Sequence, residues 1–116
     1  MDVIGSRVGQ TSVLGLSGAL DASGAPALSV QAIDLIGTGI RTILIDLDHV
    51  PYLTSAGFRS FIAISKRAEQ AGAGMVLCGL NEMVHDLFEV SGLRDSFHIY
   101  TDRATALAAI AERDTA

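Results

Sequence analysis

A chain of 116 residues with 49% hydrophobic and 18% charged side chains has enough apolar material for one modest core, and too much of it to be disordered. The net charge of −5 comes without a dense basic stripe, which argues against nucleic acid as a partner. With no Trp, two Tyr and four Phe, the core of this single 1–116 domain must be built from Leu, Ile, Val and Ala.

Val3-Ile4 and Val8 suggest a first short strand, with a turn near Gly9-Gln10. The alternation of apolar and small residues over 12–17 suggests a second, so the two read as an N-terminal hairpin. Gly18-Ala19-Leu20-Asp21 reads as a turn. Asp21 or Ser23 can then cap a helix whose apolar face is Ala27, Leu28, Val30, Ile33, Leu35 and Ile36, ending at Gly37-Thr38-Gly39. A strand–helix rhythm follows: strand 42–47, helix 55–71, strand 75–78, helix 82–91, strand 97–100, and an Ala-rich helix 102–113 with Asp102 as its cap. Strands alternating with helices imply an α/β fold with a mainly parallel sheet, to which the hairpin adds an antiparallel edge. No apolar run approaches bilayer-spanning length and the N-terminus has no charged-then-apolar signal segment, so a cytoplasmic protein without membrane association is expected.

The junction between strand 42–47 and the helix from 55 is the most informative stretch. Pro51-Tyr52-Leu53-Thr54-Ser55-Ala56-Gly57-Phe58 places two hydroxyls, Thr54 and Ser55, where a helix N-terminus presents unpaired N–H groups and a partial positive charge. Such a hydroxyl either caps the helix, which is worth roughly 1 kcal/mol, or, once phosphorylated, has its phosphate held there. The small Ala56-Gly57 pair leaves the hydroxyl uncovered and lets another protein's backbone approach.

Other chemistry is weakly signalled. Asp46 and Asp48 at the end of the central strand would share a face and could hold Mg²⁺, or are simply solvated strand-end residues, or bond the backbone N–H groups of the following loop. The first strands lack the acid pair of a phospho-accepting response regulator, and Lys66, the only lysine, lies within a helix. His49, His85 and His98 have no metal-ligand spacing, so no metal and no cofactor are expected; His98 is placed in a strand among apolar neighbours. Gly72-Ala73-Gly74 precedes a strand, the wrong order for phosphate binding, and reads as a turn. Ser55 sits in no Gly-x-Ser-x-Gly elbow, so a serine hydrolase is a poor reading. Cys78, the only cysteine, lies in the run Met75-Val76-Leu77-Cys78 and reads as a small buried apolar residue.

Four segments, in order and spacing, resemble the STAS domain family, named for sulphate transporters and anti-sigma factor antagonists. They are Leu16-Ser17-Gly18-Ala19-Leu20-Asp21, the strand 43–50, the loop Tyr52-Leu53-Thr54-Ser55-Ala56-Gly57-Phe58, and Val76-Leu77-Cys78-Gly79-Leu80 followed by Val84, Leu87, Phe88 and the turn Ser91-Gly92-Leu93. The resemblance implies a mixed sheet with about four helices packed mainly on one side. It also implies a non-enzymatic, phosphorylation-gated binding module of the antagonist branch, which binds an anti-sigma factor with serine kinase activity when unphosphorylated and is restored by a phosphatase. The family's phosphoacceptor falls on Ser55. Thr54 stands where the family usually has Asp, which makes it a second candidate acceptor. Tyr52, Leu53, Thr54, Ala56, Gly57, Phe58 and Arg59 would form or support the contact surface, with Asp21, Asp46 and Asp48 helping to shape it. The alternatives are a structural STAS subunit of a larger signalling complex, in which Ser55 only caps a helix, and a small metal- or ligand-binding domain using Asp46 and Asp48.

Overall fold

The computed structural model describes residues 1–92 and 97–115. Their elements are β1 (Asp2–Val8), β2 (Thr11–Ser17), α1 (Ala25–Ile36), β3 (Thr42–His49), α2 (Ser55–Gln70), β4 (Gly74–Cys78), α3 (Glu82–Ser91), β5 (His98–Tyr100) and α4 (Arg103–Thr115). One five-stranded sheet runs in the order β1-β2-β3-β4-β5, with β1 antiparallel to β2 and every later pair parallel.

Because spatial order follows chain order, the parallel crossovers all step the same way. Crossovers of one hand then lay α1, α2 and α3 on the same face. Leu14, Leu16, Ile43, Ile45 and Leu77 of that face pack beneath Leu28, Phe61, Ile64 and Phe88. Helix α4 follows β5 and packs on the other face, where Val13, Leu44, Val76 and Cys78 meet Ala106 and Ile110. A strand covered on both faces needs apolar residues on both, which Ile43, Leu44, Ile45 and Leu47 of β3 supply; Thr42 and Asp46 are buried with them.

All four phenylalanines meet in one cluster that joins α2, α3 and the start of β5. Phe88 is its hub, with ring centroids 4.9 Å from Phe58, 6.2 Å from Phe61 and 5.4 Å from Phe97, the last edge-on. Truncating such a hub to Ala costs roughly 3–5 kcal/mol.

Several local expectations are corrected. Neither Asp21 nor Ser23 caps α1; its N-cap is Gly24 with Pro26 in the first turn. Asp21 Oδ1 instead accepts from the Ser23 hydroxyl (2.6 Å), Ser23 N–H (3.0 Å) and Gly24 N–H (3.3 Å), closing the turn before the helix. The buried face of α1 is Ala25, Leu28, Ala32 and Ile36, while Ala27 and Val30 are exposed. Residues 18–21 are more than a turn, because Leu20 makes an isolated parallel bridge with Leu53. Phe97 precedes β5 and is buried in the main core, whereas His98 is exposed. Asp102 does cap α4, its Oδ1 accepting Thr105 N–H at 2.7 Å. Leu93, assigned to the turn after α3, lies outside the described residues.

Candidate functional site

The site is the loop 48–54 and the first turn of α2. It lies beyond the carboxyl end of β3, where ligands and partners of open α/β sheets gather. The loop is held by backbone bonds from the 18–20 segment: Gly18 N–H donates to His49 O (2.9 Å), Leu20 N–H to Tyr52 O (3.1 Å), and Thr54 N–H to Leu20 O (3.0 Å). Val50 is buried, and its N–H turns back to Leu47 O at 3.0 Å. From the α3 side, Asn81 Nδ2 donates to Val50 O and Pro51 O.

Gly57 fixes how closely α2 can sit. A Cβ built there would lie 2.5 Å from Leu20 O and 2.9 Å from Leu20 Cγ. The backbone that approaches Gly57 is therefore that of its own chain, not that of another protein as the sequence suggested. Leu53 is also buried. These two residues support the surface from within.

Thr54 occupies the N-cap position in an extended conformation (φ −94°, ψ 176°) without a side-chain cap bond. The capping role weighed for its hydroxyl is thus not taken up. Ser55, the first residue of α2, is exposed, as are Thr54, Tyr52 and Arg59, while Ala56 and Phe58 are half-buried. The first turn of α2 contains no acidic residue. Its N–H groups and dipole are free of a carboxylate that would repel an incoming phosphate. Arg59, one turn further, adds a guanidinium to the same rim.

An apolar groove of about 280 Å³ opens beside these hydroxyls, lined by Leu53, Thr54, Ser55, Phe58, Arg59, Leu87 and Ser91. Tyr52, 46% exposed, and Met83, Leu87 and Val90 of α3 add exposed apolar area. Single exposed apolar residues are ordinary, but an apolar groove that brings Leu53, Phe58 and Leu87 beside exposed hydroxyls has the composition of a partner surface.

Asp46 and Asp48 part company. The side chain of Asp46 is only 12% exposed and points to the α4 face, where Oδ2 accepts from Arg103 Nε at 2.8 Å and Oδ1 accepts Asp48 N–H at 3.0 Å. The Arg103 guanidinium also lies against Gly15 of β2, where a Cβ would come 2.8 Å from Arg103 Nη2, the movable end of that side chain. Asp48 is exposed. With one carboxylate neutralised by an arginine, this pair is a poor Mg²⁺ site, and among the described residues no group of three or more His, Cys, Asp or Glu could hold a metal. Asp46 thus bonds the loop backbone, one of its three sequence readings, from the far side of the sheet, while the exposed Asp48 fits that of a solvated strand end. Cys78 lies beside it; burial, aided by the Asp46 charge, pushes the thiol up to about 12, as befits an inert core residue. Asp21 is held below its ordinary 3.8 by the Ser23 hydroxyl and then by the Ser23 and Gly24 amides.

Sequence reasoning singled out neither Asn81 nor Arg103. Asn before an expected helix was a readable capping signal; nothing in sequence linked Arg103 to Asp46, which is 57 residues away. No helix among the described residues is long and apolar enough to cross a membrane.

The family model of the STAS domain matches residues 6–106. BtrV of Bordetella bronchiseptica, named as a candidate anti-sigma factor antagonist, is 31% identical over 94 residues, which cover 81% of each chain. Among solved structures, the candidate anti-sigma factor antagonist tm1081 of Thermotoga maritima superposes with a TM-score of 0.87 at 19% identity, covering 92% of both chains. The Bacillus cell fate determinant SpoIIAA in its phosphorylated form gives 0.75 at 19% identity, covering 94% of this chain and 99% of the other.

Proposed function

Because this chain belongs to the STAS domain family, we propose that it is an anti-sigma factor antagonist gated by phosphorylation of Ser55. In this reading the unphosphorylated domain binds an anti-sigma factor that is itself a serine kinase, in the cytoplasm and with no catalysis of its own. Phosphorylation breaks the complex and a phosphatase restores it. The observation that carries the reading is the exposed Ser55 at the start of α2, in the position where the family's acceptor falls.

The physical sequence of events is short. With Ser55 bare, the rim formed by Tyr52, Thr54, Ala56, Phe58 and Arg59 carries the single charge of Arg59 and packs against the partner, with Asp21 and Asp48 at its margins. A phosphate adds close to two negative charges. Within the free domain the N-terminus of α2 and Arg59 tolerate it. At a desolvated interface the same charge must also give up its hydration, and its burial opposes association. Thr54, exposed and adjacent, is the second acceptor in this scheme.

The test is phosphosite mapping of the protein isolated from its host, followed by calorimetry of variants against the host's kinase-type anti-sigma factor. Phosphate is expected on Ser55; Ser55→Ala should bind like the wild type, and Ser55→Asp at least about tenfold more weakly, the scale of one misplaced interfacial charge. Equal affinities for the two variants remove the switch, and phosphate on Thr54 alone moves it by one residue.

A further inference from the structure

Asn81 makes three hydrogen bonds that no helix cap requires together. Its Oδ1 accepts Val84 N–H at 2.8 Å and so caps α3. A backbone N–H can only donate, so this bond fixes which end of the amide is oxygen. The other end, Nδ2, is then a donor, and it reaches Pro51 O at 2.9 Å and Val50 O at 3.3 Å, thirty residues away in the chain. Pro51 has no N–H of its own with which to anchor the loop at this point. The other ties on the loop are backbone bonds with the 18–20 segment and β3, and the Asp46 Oδ1 bond to Asp48 N–H.

We propose that Asn81 is a positioning residue: it straps α3 to the loop 48–54 and sets the presentation of Ser55 to the enzyme that modifies it. This rests on the reading of Ser55 as phosphoacceptor. The chemistry of the strap is a carboxamide acting as acceptor on one side and double donor on the other. Aspartate and serine keep the capping oxygen but lose the amide donors, so the two jobs can be separated within one position.

The experiment compares Asn81→Asp and Asn81→Ser with the wild type in the full chain. The first readout is amide hydrogen exchange by NMR. In both variants the Val50 and Thr54 amides should exchange roughly tenfold faster, the scale of one lost hydrogen bond, while those of Val84 and His85 in α3 stay protected. The second readout is phosphate occupancy at Ser55 in host cells, which should fall severalfold in both variants because a displaced acceptor reacts more slowly. Unchanged loop exchange overturns the strap, and so does equal loss of protection in α3. An effect confined to Asn81→Asp assigns the result to its charge and also overturns the proposal. Faster loop exchange with wild-type phosphate occupancy overturns the positioning role. A wild type that carries no phosphate on Ser55 instead overturns the functional reading, and the exchange data still decide the strap.

Discussion

Gly57→Ala sets two opposed effects against each other. In a helix, Ala is favoured over Gly by up to about 1 kcal/mol, and by less in the first turn. Against this, the added Cβ would lie 2.5 Å from Leu20 O, 2.9 Å from Leu20 Cγ and 3.2 Å from the Leu20 carbonyl carbon. Those are mostly backbone atoms, which cannot swing aside. Relief requires α2 to retreat by the better part of an ångström. That movement stretches the Thr54 N–H bond to Leu20 O, now 3.0 Å, and pulls on the Leu20–Leu53 bridge. Overpacking of this kind costs about 1–3 kcal/mol, and one strained hydrogen bond about 1 kcal/mol more. The steric side wins, for a net loss of about 2 kcal/mol, which in a domain of this size lowers Tm by roughly 8 °C. Thermal melts followed by far-UV circular dichroism, with urea titrations at fixed temperature, measure it. A variant as stable as the wild type, or more so, would refute the claim that Leu20 fixes the seat of α2.

Other outcomes follow from the charges and the thiol. Cys78 should resist thiol reagents at pH 8 in the native protein and react once urea unfolds the chain; modification of the folded protein at the same rate would contradict its burial. With that thiol raised from 9.0 to about 12 on folding, its contribution is intact below pH 9 and is lost as the pH climbs from about 9 towards 12, because the unfolded chain ionises first. Asp21 and Asp102 behave with the opposite sign. Both are held below the ordinary 3.8, by the Ser23 hydroxyl and backbone amides in one case and the Thr105 N–H and hydroxyl in the other. What they add to stability is present above that value and lost as the pH falls below it, and carboxyl NMR titrations should place both midpoints under 3.8; a midpoint above it would dismiss the corresponding turn or cap.

The fold was legible where periodicity and punctuation agree. Residues 42–47 read as a buried strand because Ile43, Leu44, Ile45 and Leu47 put apolar side chains on both of its faces, and Gly92 (φ 73°), in the left-handed conformation, stops α3 where its sequence breaks. The exposed Ser55 at the start of α2 was legible too, since a helix following a buried strand fixes where its first turn emerges. The failures share one cause. Asp46 pairs with Arg103 57 residues on, Gly57 packs on Leu20 37 residues back, and Asn81 reaches Pro51 at a separation of 30; these are tertiary contacts that no local pattern encodes. Val30 went wrong for the converse reason: it fits an apolar stripe, but the register of α1 on the sheet is set by Leu28, Ala32 and Ile36.

The sheet whose spatial order repeats its chain order also bears on biosynthesis. Each new strand emerging from the ribosome finds its neighbour already laid down, so assembly can advance outward from the hairpin without waiting for distant segments. The exception is the last helix. Until α4 is released, the stripe of Val13, Leu44 and Val76 has no cover. The nascent domain is therefore most prone to stick to other chains in the interval before α4 emerges, when the Ser55 loop already exists but its arginine-braced floor does not.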